Sequence, residues 1–178
     1  MSVPEPRSVS LDVATPDEAA LLTNLLELYI HDLSAMFPHV ELGSDGRYGY
    51  PELPLYWSEP ERRFAFLIRV EGRVAGFVLV KRGSPALPDP DVLDVAEFFV
   101  LRAYRGQGVG RRAALLLWRQ LPGKWTVRVS EANPAAMAFW SGAVEEFAQG
   151  AATVLEHPGR SSRFKVFVFE SGPAPTAT

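Results

Sequence analysis

Residues 96–111 read Ala-Glu-Phe-Phe-Val-Leu-Arg-Ala-Tyr-Arg-Gly-Gln-Gly-Val-Gly-Arg, and the rest of the chain is organised around them. The stretch is typical of a strand, a short turn, a glycine-rich loop and the start of a helix. Three glycines at alternate positions leave backbone N–H groups bare at the helix start, where the helix dipole favours an anion. Arg105 and Arg111 add positive charge. The stretch therefore predicts a site for a phosphate-bearing ligand.

Length and composition restrict the class of protein. The 178 residues, 47% of them hydrophobic, favour one domain with a sizeable core. A net charge of −3 disfavours nucleic acid as a partner. The chain has no cysteine, and its three histidines lack metal-ligand spacing, so we predict no metal site. No apolar run reaches the ~18 residues that span a bilayer, and prolines and charges replace a signal core near Met1, so we predict no membrane association and a cytoplasmic location.

Hydrophobic spacing and turn residues predict a mixed α/β sheet in one domain. Strands are expected over residues 8–13, 64–70, 74–81, 91–101, 125–129, 153–156 and 164–170, and helices over residues 16–35, 106–121 and 133–142. A long aromatic loop covers residues 37–57, with a short helical piece near residues 52–57. The predicted domain spans residues 8–170, between an N-terminal arm (1–7) and a flexible tail (171–178).

The glycine loop allows three interpretations from the residues alone. A plain turn explains the glycines but not the arginines beside a helix start. A dinucleotide-binding fingerprint fits residues 108–113, with Glu131 about 20 residues further on. That fingerprint should follow its strand directly, whereas residues 101–107 intervene here. The third interpretation depends on residues beyond the loop.

Residues 105–110 match the pattern R/Q-x-x-G-x-G/A, and Asn133 follows after the next strand, with the aromatic pair Phe139 and Trp140 behind it. In this order, the motifs resemble those of the GCN5-related N-acetyltransferases (GNAT), and the resemblance extends over residues 9–169. It implies a mostly antiparallel mixed sheet, splayed at its central strands, with helices on both faces. It also implies an acetyltransferase with acetyl-CoA as cofactor.

The resemblance also implies which residues bind the cofactor. The strand before the loop would run beside the pantetheine arm, and the loop N–H groups would hold the pyrophosphate. The residues implied are Phe98, Phe99, Val100, Arg105, Gly106, Gln107, Gly108, Val109, Gly110, Arg111, Asn133, Ala136 and Trp140.

Acetyl transfer to an amine requires a base, because a free alkyl amine is mostly protonated at pH 7. Glu97 is the first candidate, since it is isolated among apolar neighbours where many relatives carry an acid, and burial would raise its pKa. Asp94 is the second candidate. In a regular strand the two carboxylates lie on opposite faces, so one at most faces the acetyl group unless a bulge intervenes.

Trp140 departs from the family pattern, which has a tyrosine there to protonate the leaving thiolate; indole is no proton source. The acceptor pocket is expected between the first helix and the aromatic loop, from Tyr29, Asp32, Tyr48, Tyr50 and Tyr56. The expected acceptor is a small-molecule or peptide amine. The resemblance also implies that the protein can form a homodimer, because dimers are common in the family. Two alternatives stay open: a non-catalytic acyl-CoA-binding relative and an NAD(P)-binding oxidoreductase.

Overall fold

The computed structural model describes residues 7–172, which form one seven-stranded sheet with helices on both faces. The strands are β1 (Val9–Val13), β2 (Arg63–Val70), β3 (Arg73–Arg82), β4 (Leu93–Val100), β5 (Gly123–Ser130), β6 (Thr153–Pro158) and β7 (Arg163–Ser171). The helices are α1 (Ala19–Ser34), α2 (Leu55–Ser58), α3 (Val109–Gln120) and α4 (Pro134–Ala148). Single 3-10 turns, Pro16–Glu18 and Arg102–Tyr104, precede α1 and follow β4.

The strand order is β1-β2-β3-β4-β5-β7-β6, and every neighbouring pair is antiparallel except β4 and β5. This confirms the mixed, mostly antiparallel sheet predicted from the sequence. It also excludes the dinucleotide-binding alternative, which requires a mostly parallel sheet built from βαβ units.

The two parallel strands are paired only at one end. Leu93–Val95 of β4 face Trp125–Val127 of β5, and beyond these residues the strands separate. The expected splay is therefore present, and it begins directly after Val95 in β4 and Val127 in β5. Each strand still has its antiparallel neighbour on the other side, β3 for β4 and β7 for β5, so the sheet stays continuous around an internal gap.

Two apolar layers hold the sheet between the helices. The larger layer packs α3 and α4, with Trp118 and Trp125 fully buried, against one face. The smaller layer packs α1 and α2 against the other, around Leu22, Leu26 and Phe77. Helices on both faces thus bury nearly all the apolar side chains of the central strands.

Local signals explain most of the helix and turn boundaries. Thr15 and Glu18 form the predicted capping box before α1, and Asn133 Oδ1 accepts the Ala136 N–H at 3.0 Å to cap α4. Glu71 and Gly72, with φ of 49° and 76°, turn the β2–β3 hairpin, as a tight two-residue turn requires.

Most element boundaries differ from the sequence prediction by one to three residues, and the end of α4 differs by six. Helix α4 continues six residues past Gly142 because Ala143 and Val144 extend its buried stripe, and it ends where Gln149 adopts φ of 50°. Helix α3 begins at Val109, because the preceding glycines adopt positive φ. Strand β7 includes Ser171, which the sequence assigned to the tail. Residues 1–6 of the predicted arm (1–7) and residues 173–178 of the predicted tail (171–178) lie outside the described residues.

Within residues 7–172, no helix is long and apolar enough to cross a membrane.

Candidate active site

The gap between β4 and β5 opens into two adjoining cavities. The larger, about 720 Å³, is bounded by β4, the glycine loop, α1 and α4. The smaller, about 380 Å³, is bounded by the separated parts of β4 and β5, α1, and the β6–β7 turn. Six residues line both cavities: Tyr29, Leu33, Phe98, Asn133, Ala136 and Trp140.

The glycine loop presents a row of free backbone donors to the larger cavity. Gly106 and Gly108 have φ of 73° and 74°, and Gly108 is the N-cap of α3 without a capping side chain. Within residues 7–172, the N–H groups of residues 106–111 find no backbone acceptor, and the first turn of α3 has no acidic residue. Unpaired donors at a helix N-terminus suit an anion, so the geometry is compatible with the predicted phosphate site.

Two arginine side chains, Arg102 and Arg105, connect this loop to β4 and α1. Arg105 donates from Nε to the Val100 carbonyl at 2.7 Å and from Nη2 to Asp32 at 2.7 Å, and its guanidinium lies over the Phe99 ring. Arg102 also pairs with Asp32. Asp32 therefore ties α1 to the loop and lines the larger cavity, whereas the sequence predicts it in the acceptor pocket.

All but one of the predicted cofactor-binding residues line the larger cavity. Those that do are Phe98, Phe99, Val100, Arg105, Gly106, Gly108, Val109, Gly110, Arg111, Asn133, Ala136 and Trp140. Gln107 does not, because its amide nitrogen turns back to donate to the Ala103 carbonyl at 2.8 Å. Arg111 is also ion-paired with Glu146 of α4.

A β-bulge decides where the two candidate carboxylates point. Leu79 of β3 pairs with Glu97 and its neighbour Val80 with Val95, so Ala96 is an extra residue in β4. The extra residue reverses the alternation of side chains between Asp94 and Glu97. Both carboxylates therefore project to the face covered by α1, contrary to the opposite faces expected for a regular strand.

Glu97 lines the smaller cavity and accepts two phenolic hydrogen bonds. The Tyr29 hydroxyl donates to Oε2 at 2.7 Å and the Tyr50 hydroxyl donates to Oε1 at 3.1 Å. Burial raises the pKa of Glu97 above its usual range, although both phenols and the guanidinium of Arg128 act to lower it. Burial also raises the pKa of both phenols, so they stay protonated donors at neutral pH.

Asp94 is fully buried, and its oxygens are occupied by protein donors. Thr126 and Ser84 donate to Oδ1 at 2.7 and 3.2 Å, and Arg128 forms a bidentate pair through Nε and Nη2. Asp94 lines neither cavity. Its contacts fit the role of anchoring the Arg128 side chain.

The four tyrosines predicted for the acceptor pocket do not line one common pocket. Tyr29 lines both cavities, and Tyr50 contacts Glu97 without lining either. Tyr48 is held against α1, where its backbone N–H donates to Glu27. Tyr56, 3% exposed, is the buried residue of α2 and packs into the smaller apolar layer.

The structure adds residues that sequence reasoning missed. Arg128, Arg160 and Phe164 line the smaller cavity, together with Phe37 and His39 from the aromatic loop. The pairing of β5 with β4 and with β7 brings Arg128, Arg160 and Phe164 to this cavity. No local sequence signal distinguishes Arg128 from any other strand arginine.

Fold and site together define an α/β protein with a two-part cleft between separated strands and an anion loop at its edge. The model of the family "Acetyltransferase (GNAT) family" matches residues 24–142. The chain belongs to the GNAT acetyltransferase family, which confirms the resemblance inferred from its motifs.

Solved structures share this fold at low sequence identity. An acetyltransferase from Thermus thermophilus superposes with a TM-score of 0.63 at 21% identity, over 92% of this chain and 97% of that one. The yncA protein of Salmonella typhimurium, with its cofactor acetyl-CoA, gives 0.59 at 14%, over 96% and 98%. Spermidine N-acetyltransferase from Vibrio cholerae, with CoA and spermine, gives 0.60 at 12%, over 92% and 95%. No curated protein sequence matches the chain.

Proposed function

We propose that this protein is an acetyl-CoA-dependent N-acetyltransferase that transfers an acetyl group to a primary amine by direct attack. One observation carries the proposal. Two cavities adjoin at the gap in the sheet, one with a row of unpaired N–H donors and the other with the half-buried carboxylate of Glu97. Family membership supplies the reaction class, and the acceptor is a small-molecule or peptide amine.

The larger cavity suits acetyl-CoA on the chemistry of its own residues. The pyrophosphate would be held by the N–H groups of residues 106–111, where a Cβ at Gly106 or Gly108 would be strained by positive φ. Arg111 adds positive charge at the same end of the cavity. The yncA and spermidine N-acetyltransferase structures contain acetyl-CoA and CoA, which supports this assignment. When bound, the cofactor supplies an acyl thioester, which an amine can attack.

The open edge of β4 suits the arm of such a cofactor. Beyond Val95, β4 keeps its pairing with β3 but has no β5 partner, so its outward N–H groups are available to a ligand, whereas the Val100 carbonyl already accepts from Arg105. A backbone N–H of residues 98–100 would then polarise the thioester carbonyl, as an oxyanion hole does.

Glu97 is proposed as the general base. An acceptor amine must lose a proton to attack, and Glu97 is the one carboxylate among the residues lining the smaller cavity. Each of its oxygens accepts one phenolic hydrogen bond and retains a further lone pair for the amine proton. Asp94, the second candidate, is already committed to Arg128 and to two hydroxyl groups.

Trp140 leaves the protonation of the departing thiolate to a group other than an α4 tyrosine. Its indole is 7% exposed and stacks edge-on against Phe98 and Phe139. Because an indole N–H does not give up its proton, Trp140 serves to shape the cleft. This departure favours the second candidate function, a non-catalytic acyl-CoA-binding relative.

Two measurements separate these functions. Calorimetric titration with acetyl-CoA tests binding, and release of CoA thiol in the presence of an amine panel tests turnover. We expect both for the wild type, and for Glu97→Gln we expect retained acetyl-CoA binding with turnover reduced by a factor of about 10² or more. Binding without turnover over the whole panel would favour the non-catalytic function, and absence of binding would refute both.

A further inference from the structure

The smaller cavity contains an unusual set of charges for a site that accepts an amine. Glu97 is its one acidic residue, and Arg128 and Arg160 are its two basic ones. An amine acceptor binds at the carboxylate, so the guanidinium groups must face some other part of the same molecule. The remaining lining is largely apolar and aromatic, and includes Phe37 from the aromatic loop and Phe164 from β7.

Arg128 is a fixed donor rather than a mobile surface arginine. Its side chain is 20% exposed, and the bidentate pair with fully buried Asp94 uses Nε and Nη2. Thr126 and Ser84 hold the Asp94 carboxylate in turn. Among residues 7–172, no acceptor lies within hydrogen-bond distance of Arg128 Nη1. Two N–H donors on a pre-organised guanidinium therefore remain for a ligand.

Arg160 adds an uncompensated positive charge to the same cavity. It lies in the β6–β7 turn, where it is solvent-exposed, and within the described chain it has neither an ion pair nor a side-chain hydrogen bond. The nearby Arg163, in contrast, pairs with Glu156 and does not line the cavity. Arg128 and Glu97 line the same cavity, and the charge of Arg128 acts to lower the pKa of Glu97.

From this arrangement we infer that the acceptor carries its own carboxylate: it is a small amino carboxylate, an α-amino acid with an apolar or aromatic side chain being the simplest form. The inference rests on the proposed N-acetyltransferase function. The amino group lies at Glu97, the carboxylate accepts from Arg128 Nη1 and the Arg160 guanidinium, and the side chain packs among the aromatic residues. A planar guanidinium matches the two oxygens of a carboxylate.

The same charges argue against a polyamine. A second ammonium group would lie in a cavity that also contains the guanidinium groups of Arg128 and Arg160, with no acid besides Glu97 among the lining residues to pair with it. Like charges in a partly desolvated site repel each other strongly. The acceptor class therefore differs from that of the spermidine N-acetyltransferase that shares this fold.

The test compares acceptors that differ only in the carboxylate. Phenylalanine, phenylalaninamide and 2-phenylethylamine are assayed for kcat/KM with acetyl-CoA, and spermidine serves as the polyamine. The amide is the sharper comparison, because its amine loses a proton more readily than that of the free amino acid. Any bias from amine basicity therefore acts against the expected result. We expect phenylalanine to be preferred over its amide by about ten-fold or more, as for a hydrogen bond between charged groups.

Variants connect the preference to the two arginines. Arg160→Gln should reduce the phenylalanine-to-amide ratio by about ten-fold, mainly through KM for phenylalanine. Arg128→Lys keeps a cation beside Asp94 while removing the fork, and should also reduce the ratio. Arg163→Gln, the matched control in the same hairpin, should leave the ratio unchanged.

The outcomes separate the two proposals. Turnover of 2-phenylethylamine or spermidine equal to that of phenylalanine, or a ratio that both variants leave intact, overturns the amino carboxylate and leaves the acetyltransferase standing. Absence of turnover with every acceptor overturns both. A carboxylate preference that falls in both arginine variants and persists in Arg163→Gln supports the inference.

Discussion

Replacing Tyr50 with phenylalanine should move the acid limb of the kcat/KM profile to higher pH. Tyr50 donates to Glu97 Oε1 at 3.1 Å and lines neither cavity, so the change removes one donor to the carboxylate without altering the cavity walls. A hydrogen bond to a charged group contributes about 1.5–3 kcal/mol, and one pKa unit corresponds to about 1.4 kcal/mol. The long distance favours the lower limit, so we expect a shift of about one pH unit.

The sign follows from the charge of the base. The Tyr50 hydroxyl stabilises the carboxylate form of Glu97 and lowers its pKa, so losing it raises the pKa further. The protein then needs a higher pH to deprotonate the base, and activity falls on the acid side while the alkaline plateau remains. Tyr29→Phe should shift the limb at least as far, because its hydrogen bond is 2.7 Å long.

The assay is release of CoA thiol between pH 5 and 9, with one amine for all variants so that titration of the amine cancels in the comparison. The other charged groups near Glu97, Arg128 and Lys81, are unchanged in both variants. A limb that stays in place, or moves to lower pH, in Tyr50→Phe and Tyr29→Phe would refute the assignment of Glu97 as base.

Three further changes test catalysis and stability. Glu97→Gln should raise the melting temperature more at pH 8 than at pH 5, because a raised folded-state pKa means that stability is lost as pH rises through it. Exposed Glu61→Gln is the control. An equal gain at both pH values would contradict a raised pKa for Glu97. Asp94→Asn should lower the free energy of unfolding by roughly 3 kcal/mol, because it leaves Arg128 without its buried partner, and denaturant unfolding that gives less than about 1 kcal/mol would count against the pair. Gly142→Ala should raise it by about 0.5–1 kcal/mol, because a Cβ there meets open space inside α4, and the same denaturant measurement showing a loss would contradict this.

Much of the fold could be predicted because its signals are local. The β2–β3 turn, the capping box before α1 and the Asn133 cap are each set by residues within a few positions of one another. The sequence underestimates the length of α4 because Gly142 suggests an end. The buried stripe that continues past it depends on the sheet lying underneath.

The candidate site was predictable only in part, since half of it depends on strand pairing. The glycine loop and Glu97 lie in one continuous stretch and could be recognised there. The bulge at Ala96 depends on how β4 pairs with β3, which the sequence of β4 alone does not reveal. Arg128 of β5 and Arg160 of the β6–β7 turn line the same cavity as Glu97 of β4, and no spacing rule joins residues so far apart in the chain.

The separation of β4 and β5 reverses the usual order of protection within a sheet. Ordinarily the central strands exchange their amide hydrogens most slowly and the outer strands most rapidly. Here the backbone of β4 beyond Val95 and of β5 beyond Val127 lacks its inner partner, so the centre of the sheet contains two edges. Helices α1 and α4 flank these edges, and only a slender extended molecule can pair with them. Hydrogen exchange at Phe98 and Val100, whose N–H groups point away from β3, therefore reports occupancy directly, because a molecule that fills the gap completes the sheet as a missing strand would.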